Sequence, residues 1–315
     1  MELRNLGRSG LLVSAVGLGC NNFGWRIEVE PSRKVVHKAL DLGVTLLDTA
    51  DVYGDGQSED MLGQILGPRR NDVVLATKFA SGLGPLSGQR FASRGYIMGA
   101  VEASLKRLRT DWIDLYQLHW SDPRTPIEET LRTLDDLVRQ GKVRYTGISN
   151  HAAWQVADAQ WIAKHHNLNA FVSSQDEYSL LVRGVEKELI PALRSFGLGL
   201  LPYFPLASGL LTGKYKKGAA PGAGTRFGSA SMGRLGSRYM TEVNWPIVEK
   251  LEAFVAKRSH SMLELAFSWL LANPTVSSVI AGATTPEQIE QNVKAASWTI
   301  SAEDLAEIDT ITAKG

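Results

Sequence analysis

The sequence has little of what marks secreted, membrane-spanning and nucleic-acid-binding proteins. Its single cysteine, Cys20, excludes an intramolecular disulfide and a cysteine-cage metal site, and it fits a reducing compartment. No run reaches the roughly 18 to 20 apolar residues of a membrane span, and the first residues carry charge and glycine where a signal peptide needs an apolar segment. The 34 basic and 33 acidic residues are spread along the chain without a basic stripe. We therefore expect a cytoplasmic protein with a small-molecule substrate and no nucleic-acid or membrane partner. The sequence leaves open whether the protein forms a homo-oligomer.

Metal-ligand clusters and a Rossmann fingerprint are also missing from the sequence. Glycines nowhere form a GxGxxG run between a strand and a helix. Most histidines fall on predicted helices or at their starts, and we interpret them as surface or capping residues: His37, His151, His165, His166 and His260. None has the spacing of metal ligands, so no metal is expected.

Short apolar runs alternate with longer amphipathic stretches along the chain. The strand candidates are Val16–Cys20, Thr45–Asp48, Val73–Lys78, Ile113–His119, Val143–Ser149, Phe171–Gln175, Gly199–Tyr203 and Val276–Ala281. The helix candidates between them include Pro31–Leu42, Ser58–Leu66, Gly95–Leu108, Pro126–Arg139, Ala152–His165 and Val185–Ser195. Apolar strands that are each followed by a helix indicate parallel strands covered on their outer face. Eight such units favour an α/β fold of the closed (β/α)8 type, a TIM barrel with extra C-terminal helices. No linker interrupts the pattern, so residues 1–315 are predicted to form one domain.

Two segments stand outside this repeat. Leu3–Leu6 and Leu11–Ser14 flank a Gly-Arg-Ser-Gly turn and predict an N-terminal hairpin that closes one end of the barrel. Gly209–Arg238 is rich in glycine and serine and weakly periodic. A loop this long is usually functional or mobile, and we expect it to cover a bound ligand.

Polar residues stand at the C-terminal ends of six consecutive strand candidates. They are Asp48, Lys78, His119, Ser149 with Asn150, Gln175 and Tyr203. In a barrel these ends converge on the face that carries catalysis. One polar residue at a strand end is as readily a helix cap as a functional group. Burying six of them without a function would be costly, so this face is the candidate active site.

The residue types at these strand ends point to acid catalysis. Asp48 and Lys78 come from adjacent strands and can form a buried ion pair, and Tyr53 follows Asp48 by five residues. A phenol with a pKa near 10 is a poor acid, and a neighbouring lysine cation lowers that pKa. His119 can hydrogen-bond the same substrate oxygen. This set fits protonation of a carbonyl oxygen while a cofactor delivers a hydride.

The same residues resemble the motifs of the aldo-keto reductase superfamily, over essentially the whole chain. Residues 48–54 (DTADVYG) resemble its DTAxxYG motif, and the further matches are 76–79 (ATKF), 115–119 (LYQLH), 147–150 (GISN) and 175–181 (QDEYSLL). Five motifs in family order are specific. The likeness is to bacterial-type members related to the potassium-channel β-subunit-like branch.

The resemblance implies roles for individual residues. The catalytic tetrad would be Asp48, Tyr53, Lys78 and His119. Ser149, Asn150 and Gln175 would bind the nicotinamide carboxamide, and Tyr203 would stack on the nicotinamide ring. The pyrophosphate would be wrapped by Phe204, Pro205, Leu206, Ser208, Gly209 and Leu210, with Phe204 where the family usually has serine. Gly19, Cys20 and Asn21, after the first strand, would border the cofactor. Cys20 has the alternative interpretation of a small buried filler.

The adenosine end of such a cofactor would lie on Gly282, Thr284, Gln288, Gln291 and Asn292. Thr285 with Gln288 predicts a capping box, with Pro286 at the first helical position. Many family members have a lysine or arginine in this turn that grips the 2′-phosphate of NADP, and here none is present. NADPH is still expected from the family, with NADH as the alternative, and Lys214 and Arg226 of the long loop are candidates to compensate.

The expected function is reversible reduction of an aldehyde or ketone to an alcohol, with Tyr53 as proton donor. Trp25 and Trp120 are candidate walls of the substrate pocket, since pockets of this kind are aromatic-lined. The substrate itself depends on the loops Asn21–Glu28, Phe79–Arg94, Trp120–Arg124 and Gly209–Arg238. The alternative is a cofactor-binding regulatory subunit of the same fold with little turnover.

Overall fold

The computed structural model describes residues 1–80, 91–219, 222, 227–228 and 233–313, without the side chains of 233–235. Its strands are β1 (Leu3–Asn5), β2 (Leu12–Ser14), β3 (Val16–Gly19), β4 (Leu46–Asp48), β5 (Val74–Phe79), β6 (Ile113–Leu118), β7 (Val143–Ser149), β8 (Ser173–Glu177), β9 (Gly199–Tyr203) and β10 (Val279–Gly282). Its α-helices are α1 (Val29–Asp41), α2 (Gln57–Leu66), α3 (Arg94–Leu108), α4 (Ile127–Arg139), α5 (Ala153–His165), α6 (Leu189–Phe196), α7 (Gly233–Tyr239), α8 (Asn244–Ala256), α9 (Met262–Ala272), α10 (Pro286–Ala295) and α11 (Ala302–Thr312). Short 3-10 helices span Gly67–Asp72, Gly184–Glu186 and Ala207–Thr212.

Eight parallel strands form a nearly closed barrel. They lie in the order β10-β3-β4-β5-β6-β7-β8-β9. A parallel bridge from Leu200 of β9 to Val276, three residues before β10, brings the two edges together. Helices separate most successive strands on the outside. The predicted (β/α)8 fold is therefore confirmed.

Two strands are displaced from their predicted positions. The sixth barrel strand was expected at Phe171–Gln175, but its ladder to β7 begins where Ser173 faces Gly147. The eighth was expected at Val276–Ala281, but its ladder to β3 begins at Val279. In both cases the apolar run starts before the pairing does, because hydrophobicity marks burial and the partner strand sets the register.

The N-terminal hairpin closes the end of the barrel where the strands begin. β1 and β2 pair antiparallel, with Leu3 opposite Ser14. Leu6 and Val13 are fully buried against the barrel's inner layer, which includes Leu46 and Leu115. The predicted hairpin is confirmed, and it leaves the opposite end of the barrel for a ligand.

The helices of the structure carry the apolar spacing and capping residues that are typical of helices. Buried Leu131, Leu134 and Leu137 recur along α4 at helical spacing and face the strands. Ser261 and Glu264 form a capping box at the start of α9. Helices α7, α8 and α11 lie outside the barrel repeat, and α8 packs against α11. Within the described ranges no helix is long and apolar enough to cross a membrane.

Candidate active site

The carboxyl ends of β4, β5 and β6 bring the predicted tetrad together. Parallel pairing sets Asp48 opposite Ala76, and Lys78 opposite Gln117. Asp48 and Lys78 are both buried, and His119 directly follows β6 with 8% of its surface exposed. Tyr53, in the turn after β4, is half-buried. The barrel register therefore collects onto one face side chains that are up to 71 residues apart in the chain, 119 minus 48.

Lys78 is the centre of this cluster. Its Nζ donates to both carboxylate oxygens of Asp48 at 2.8 Å and to the backbone O of Thr49 at 2.8 Å. It also lies 3.3 Å from the Tyr53 Oη. Burial lowers the pKa of Lys78, but the adjacent Asp48 carboxylate and the Tyr53 phenol raise it more, so the net shift is upward. Lys78 is therefore a fixed cation beside the phenol.

The pKa of Tyr53 differs from the expectation. Burial raises it, and the opposing effect of the Lys78 cation is smaller, while Asp48 raises it further. The predicted lowering by Lys78 is present, but the prediction of a net lowered pKa is wrong, because the loss of water around the phenolate outweighs one nearby cation. Tyr53 is accordingly a protonated phenol at neutral pH.

His119 is a neutral imidazole. Burial lowers its pKa to about 3, and the Lys78 cation acts in the same direction. The His119 ring lies 6.1 Å from the Tyr53 ring, edge to face. Its Nδ1 is buried without a hydrogen-bond partner among the described residues. A neutral imidazole here can donate one N–H to a substrate oxygen near Tyr53.

Asp48 has two further partners, one of which the sequence reasoning missed. Gln175 Nε2 donates to Asp48 Oδ1 over 2.8 Å, and Gln117 Nε2 lies 3.4 Å from the same oxygen. Gln117 precedes His119 by two residues, and side chains two apart on a strand share a face. The two-residue repeat of side chains along a strand could therefore have identified Gln117 from the sequence.

A second polar group lies beside the tetrad, at the ends of β7 and β9. Asn150 donates through Nδ2 to Ser149 Oγ at 2.9 Å and to the His119 backbone O at 3.1 Å. Tyr203 Oη donates to Asn150 Oδ1 over 2.7 Å. Asn150 adopts a left-handed φ of 60°, a conformation that asparagine tolerates better than most residues. The structure thus brings together the predicted nicotinamide set, Ser149, Asn150, Gln175 and Tyr203.

The turn after β9 has the backbone shape of an anion site. Ala207, Ser208 and Gly209 have consecutive positive φ values of 45°, 56° and 107°. Left-handed residues in succession can form an anion-binding nest. Here the Ala207 N–H already donates to the Phe204 O at 2.9 Å and the Gly209 N–H to the Leu206 O at 2.8 Å, so an anion would have to compete for those two groups. Lys214 reaches this turn, since its Nζ lies 3.5 Å from where a Cβ on Gly209 would stand. These residues fit a pyrophosphate.

At the predicted adenosine end, glycine allows a close approach. A Cβ on Gly282 would come within 2.8 Å of Asn22 Nδ2, and Gly282 pairs with Gly19 of β3. Asn22 is 4% exposed, and its Oδ1 has no partner in the described part of the chain. Nothing in the sequence assigns a role to Asn22, because no local pattern predicts that it lies next to Gly282. The orphaned oxygen and the nest fit an extended dinucleotide.

The capping box predicted before α10 forms only in part. Thr285 accepts from the Gln288 backbone N–H, and Pro286 begins the helix as predicted. The Gln288 side chain, however, accepts from the Thr284 backbone N–H at 2.8 Å instead of the Thr285 one. Of the other adenosine-end candidates, Gln291 is exposed and Asn292 is buried.

Cys20 and the two tryptophans occupy different environments. Cys20 is fully buried, and its Sγ faces the Leu18 backbone O at 3.6 Å, which favours the filler interpretation. Burial raises the pKa of its thiol well above the usual value. Trp120 is half exposed and stacks on His119 at 5.5 Å between ring centroids. Trp25 is also exposed, and its indole donates to the Asn21 backbone O. Trp120 thus borders the tetrad directly.

One interpretation of the histidines is wrong, and some candidates cannot be placed. His151 is buried, with its Nδ1 2.6 Å from the Ser149 backbone O, because the loop from β7 to α5 folds inward. Burial lowers its pKa to about 4. Arg226, residues 81–90 and part of the Gly209–Arg238 loop lie outside the described residues. Over those residues that are described, no group of three His, Cys, Asp or Glu side chains could hold a metal ion.

The chain folds as a (β/α)8 barrel. At the face where its strands end, a buried Asp-Lys ion pair lies beside a tyrosine and a neutral histidine. A family profile described as "Aldo/keto reductase family" matches residues 15–313. The chain belongs to the aldo/keto reductase family.

Curated relatives cover nearly the full length of the chain. It is 39% identical to a "Probable voltage-gated potassium channel subunit beta" of Oryza sativa subsp. japonica, over 94% of this chain and 91% of that protein. It is 37% identical to the "Uncharacterized oxidoreductase YrpG" of Bacillus subtilis, over 99% and 96%. It is 34% identical to the "L-glyceraldehyde 3-phosphate reductase" of Escherichia coli (strain K12), over 100% and 93%. Family and relatives together support an oxidoreductase.

Proposed function

We propose that this protein reduces an aldehyde or ketone to an alcohol with NAD(P)H, and that Tyr53 donates the proton. The observation that carries this proposal is the position of Lys78 Nζ, which lies 2.8 Å from Asp48 and 3.3 Å from the Tyr53 Oη. When bound, the nicotinamide supplies the hydride. The protein's own residues have to position the carbonyl and protonate its oxygen.

Tyr53 and Lys78 have different roles in the protonation of the substrate. The raised pKa of Tyr53 keeps its proton in place until the substrate oxygen gains negative charge. The Lys78 cation then stabilises the phenolate that proton transfer leaves behind, and this stabilisation is strong because the pair is buried. Asp48 holds Lys78 charged and aimed at Tyr53. Neutral His119 donates a hydrogen bond to the same substrate oxygen and orients it.

The cofactor contacts are part of the proposal. Ser149, Asn150 and Gln175 would hold the carboxamide, Tyr203 the ring, the turn from Phe204 to Leu210 the pyrophosphate, and Gly282 to Asn292 the adenosine. NADPH is the favoured form and NADH the alternative. Lys214 would contact the pyrophosphate that both forms share, because it lies at the nest without an ion-pair partner in the part of the chain that the structure describes. We place this chemistry in the cytoplasm, in line with a lone, buried thiol.

The test replaces Tyr53 by phenylalanine. Tyr53→Phe removes only the phenolic O–H, so we expect carbonyl reduction to fall by at least about a thousandfold, in the range attributed to general acid catalysis. The affinity for NADPH, measured by fluorescence titration, should stay within about twofold. Tyr145→Phe is the matched control, since Tyr145 lies at the start of β7, far from the tetrad. Full activity in Tyr53→Phe would show that another group donates the proton.

A second candidate is a cofactor-binding regulatory subunit with little turnover. It is favoured by the plant relative whose printed name is a potassium channel subunit. Stopped-flow measurement of NADPH oxidation, with a panel of aldehydes and ketones, separates the two. Hydride transfer within the first turnover, followed by rapid further turnovers, supports the reductase. Slow single turnover with tight cofactor retention, together with a co-purifying membrane protein, supports the subunit.

A further inference from the structure

Two buried hydroxyl groups lie behind the tetrad, where helix α2 meets the ends of β3 and β4. Thr49 directly follows β4, and Ser58 is in the first turn of α2. Their hydroxyl oxygens are 2.8 Å apart, and Ser58 Oγ donates to the Cys20 backbone O over 2.9 Å. Thr49 and Ser58 are both fully buried. Neither hydroxyl can therefore contact a substrate, and each can act only through its neighbours.

The hydrogen bonds of these two hydroxyls run in one direction. A serine hydroxyl has a single proton, and Ser58 donates its proton to the Cys20 carbonyl, which can only accept. The Thr49 hydroxyl must therefore donate to Ser58 Oγ. Hydrogen bonds in a buried chain strengthen one another. Loss of the Ser58 hydroxyl would thus disturb both Thr49 and Cys20.

Both neighbours of Ser58 are bonded to members of the tetrad. The Thr49 backbone O accepts from Lys78 Nζ at 2.8 Å. The Cys20 backbone N–H donates to the Asp48 backbone O, also at 2.8 Å. The Ser58 hydroxyl therefore holds two peptide groups that in turn hold the buried ion pair.

The turn that carries Tyr53 is bonded to the same helix start. The residues between Tyr53 and α2 include Gly54, Asp55 and Gly56, with left-handed φ values of 59°, 57° and 86°. Such a stretch continues neither a strand nor a right-handed helix. The backbone N–H of Ser58 donates to the Tyr53 backbone O over 3.1 Å. The first turn of α2 therefore helps to fix the position of the phenol.

Glu59 anchors this first turn of α2 to the neighbouring strand. Its carboxylate is fully buried and accepts from Thr77 Oγ1 at 2.5 Å and from Arg107 Nε at 2.7 Å. Thr77 directly precedes Lys78 on β5. The helix start is thus bonded to the ends of β3 and β4 and to β5, which makes Ser58 a rigid support.

We propose that the Ser58 hydroxyl is a positioning group that holds Tyr53 and Lys78 in the arrangement required for proton transfer. The inference rests on the proposed function, because it assigns Ser58 to the step in which Tyr53 gives up its proton. Without this hydroxyl, Thr49 loses its acceptor, and the backbone O that holds Lys78 can shift. The distance of 3.3 Å from Lys78 Nζ to Tyr53 Oη then changes. A displacement of about 1 Å can reduce a rate by about a hundredfold.

The experiment compares Ser58→Ala with Ser268→Ala. Ser268 is the matched control, because its hydroxyl is also buried and donates to a backbone O of another helix, that of Ala295, at 3.0 Å. In Ser58→Ala we expect kcat for carbonyl reduction to fall by about tenfold to a hundredfold. KM and the dissociation constant of NADPH should stay within about twofold. Ser268→Ala should leave all three within about twofold of the wild type. An unchanged kcat in Ser58→Ala, or an equal loss in both variants, would overturn the proposal.

A measurement without turnover separates this inference from the proposed function. In protein whose tyrosine Cζ atoms are labelled with carbon-13, the NMR resonance of Tyr53 is identified by its loss in Tyr53→Phe. Ser58→Ala should shift this resonance, because the contact between Lys78 and the phenol changes, and Ser268→Ala should leave it in place. An unshifted resonance in Ser58→Ala would contradict the positioning role. A wild type that reduces no aldehyde or ketone would instead contradict the proposed function.

Substitutions of Thr49 test the same hydrogen bond from its donor side and cover the case in which Ser58→Ala does not fold. Thr49→Val removes the hydroxyl with little change of shape, so kcat should fall as in Ser58→Ala. Thr49→Ser keeps the hydroxyl and should keep most of the activity. The double variant Ser58→Ala with Thr49→Val should lose less than the product of the two single losses, because both remove the same bond. Equal kcat values in Thr49→Val and Thr49→Ser would show that the hydroxyl pair has no part in positioning.

Discussion

Gln175 donates to Oδ1 of Asp48 over 2.8 Å, so the side chain assigned to the nicotinamide carboxamide is also tied to the carboxylate that holds Lys78. The two strands that carry them, β8 and β4, are not neighbours in the barrel. The bond crosses the mouth of the barrel and joins the proposed cofactor contacts to the proton donor. Gln117 approaches the same oxygen at 3.4 Å, from a strand without an assigned cofactor contact.

This difference between the two glutamines predicts different kinetic effects. Gln175→Leu should weaken NADPH binding and also lower kcat, because it removes the proposed cofactor contact and a hydrogen bond to Asp48. Gln117→Leu should lower kcat alone. We expect each loss in kcat to be about tenfold, the equivalent of about 1.4 kcal/mol for one hydrogen bond to a charged group. Fluorescence titration of NADPH and steady-state kinetics measure the two effects. Equal NADPH dissociation constants in both variants would mean that Gln175 serves only Asp48.

The Asp48–Lys78 pair predicts a non-additive loss of stability. Both groups are almost fully buried. Lys78→Met leaves the Asp48 carboxylate without its cation, and we expect it to reduce the free energy of unfolding by about 3–5 kcal/mol. Asp48→Leu should have a similar effect, since it leaves the lysine unpaired. The double variant should be more stable than either single one, although inactive. Urea unfolding of the four proteins tests this, and simple additivity would show that the pair is not coupled.

Most of the candidate active site could be predicted from the sequence, because its position depends on a repeat. Asp48, Lys78 and His119 each end a strand, and parallel strands in a barrel bring their ends together whatever their exact register. The N-terminal hairpin and its closure of the barrel also followed from a local pattern, the Gly-Arg-Ser-Gly turn between two apolar runs.

Features that depend on tertiary neighbours could not be predicted in this way. The net pKa of Tyr53 is set by how completely the fold removes water from its ring, which no local pattern reveals. The position of His151 before a helix is typical of a surface or capping residue, but the path of the loop buries it. Asn22 meets Gly282 across the full length of the barrel repeat.

The position of Lys214 predicts that it contributes to the affinity for the cofactor through a phosphate group. If its ammonium contacts phosphate groups at the nest, Lys214→Gln should raise the dissociation constant of NADPH by about tenfold. Lys216→Gln is the matched control, because Lys216 is exposed and pairs with Glu252. Comparison with NADH locates the contact. A loss for NADPH alone points to the 2′-phosphate, and an equal loss for both points to the pyrophosphate. No loss for either would remove Lys214 from the site.

The raised pKa of buried Asp176 predicts that the stability of the protein depends on pH. Substituting Asp176 should remove this dependence. Asp176 is 5% exposed on β8, and burial raises the pKa of its carboxyl to about 6, against the smaller opposing effects of Ser174 and the Asn150 backbone N–H. Because the folded pKa exceeds the unfolded value of 3.8, the folded state holds the proton more tightly. Its contribution to stability is therefore present below pH 4 and is lost as the pH rises toward 6.

Asp176→Asn replaces the carboxyl by a group that stays neutral and still accepts from Ser174 Oγ, which lies 2.5 Å from the acid. The variant should be close to the wild type in stability at pH 4. It should become more stable than the wild type by on the order of 3 kcal/mol at pH 7, the equivalent of the shift in pKa. Urea midpoints measured at intervals between pH 4 and pH 7 give this difference directly. A difference that does not change with pH would mean that Asp176 is not the titrating group, and a reversed slope would mean that its carboxylate is stabilised in the folded protein.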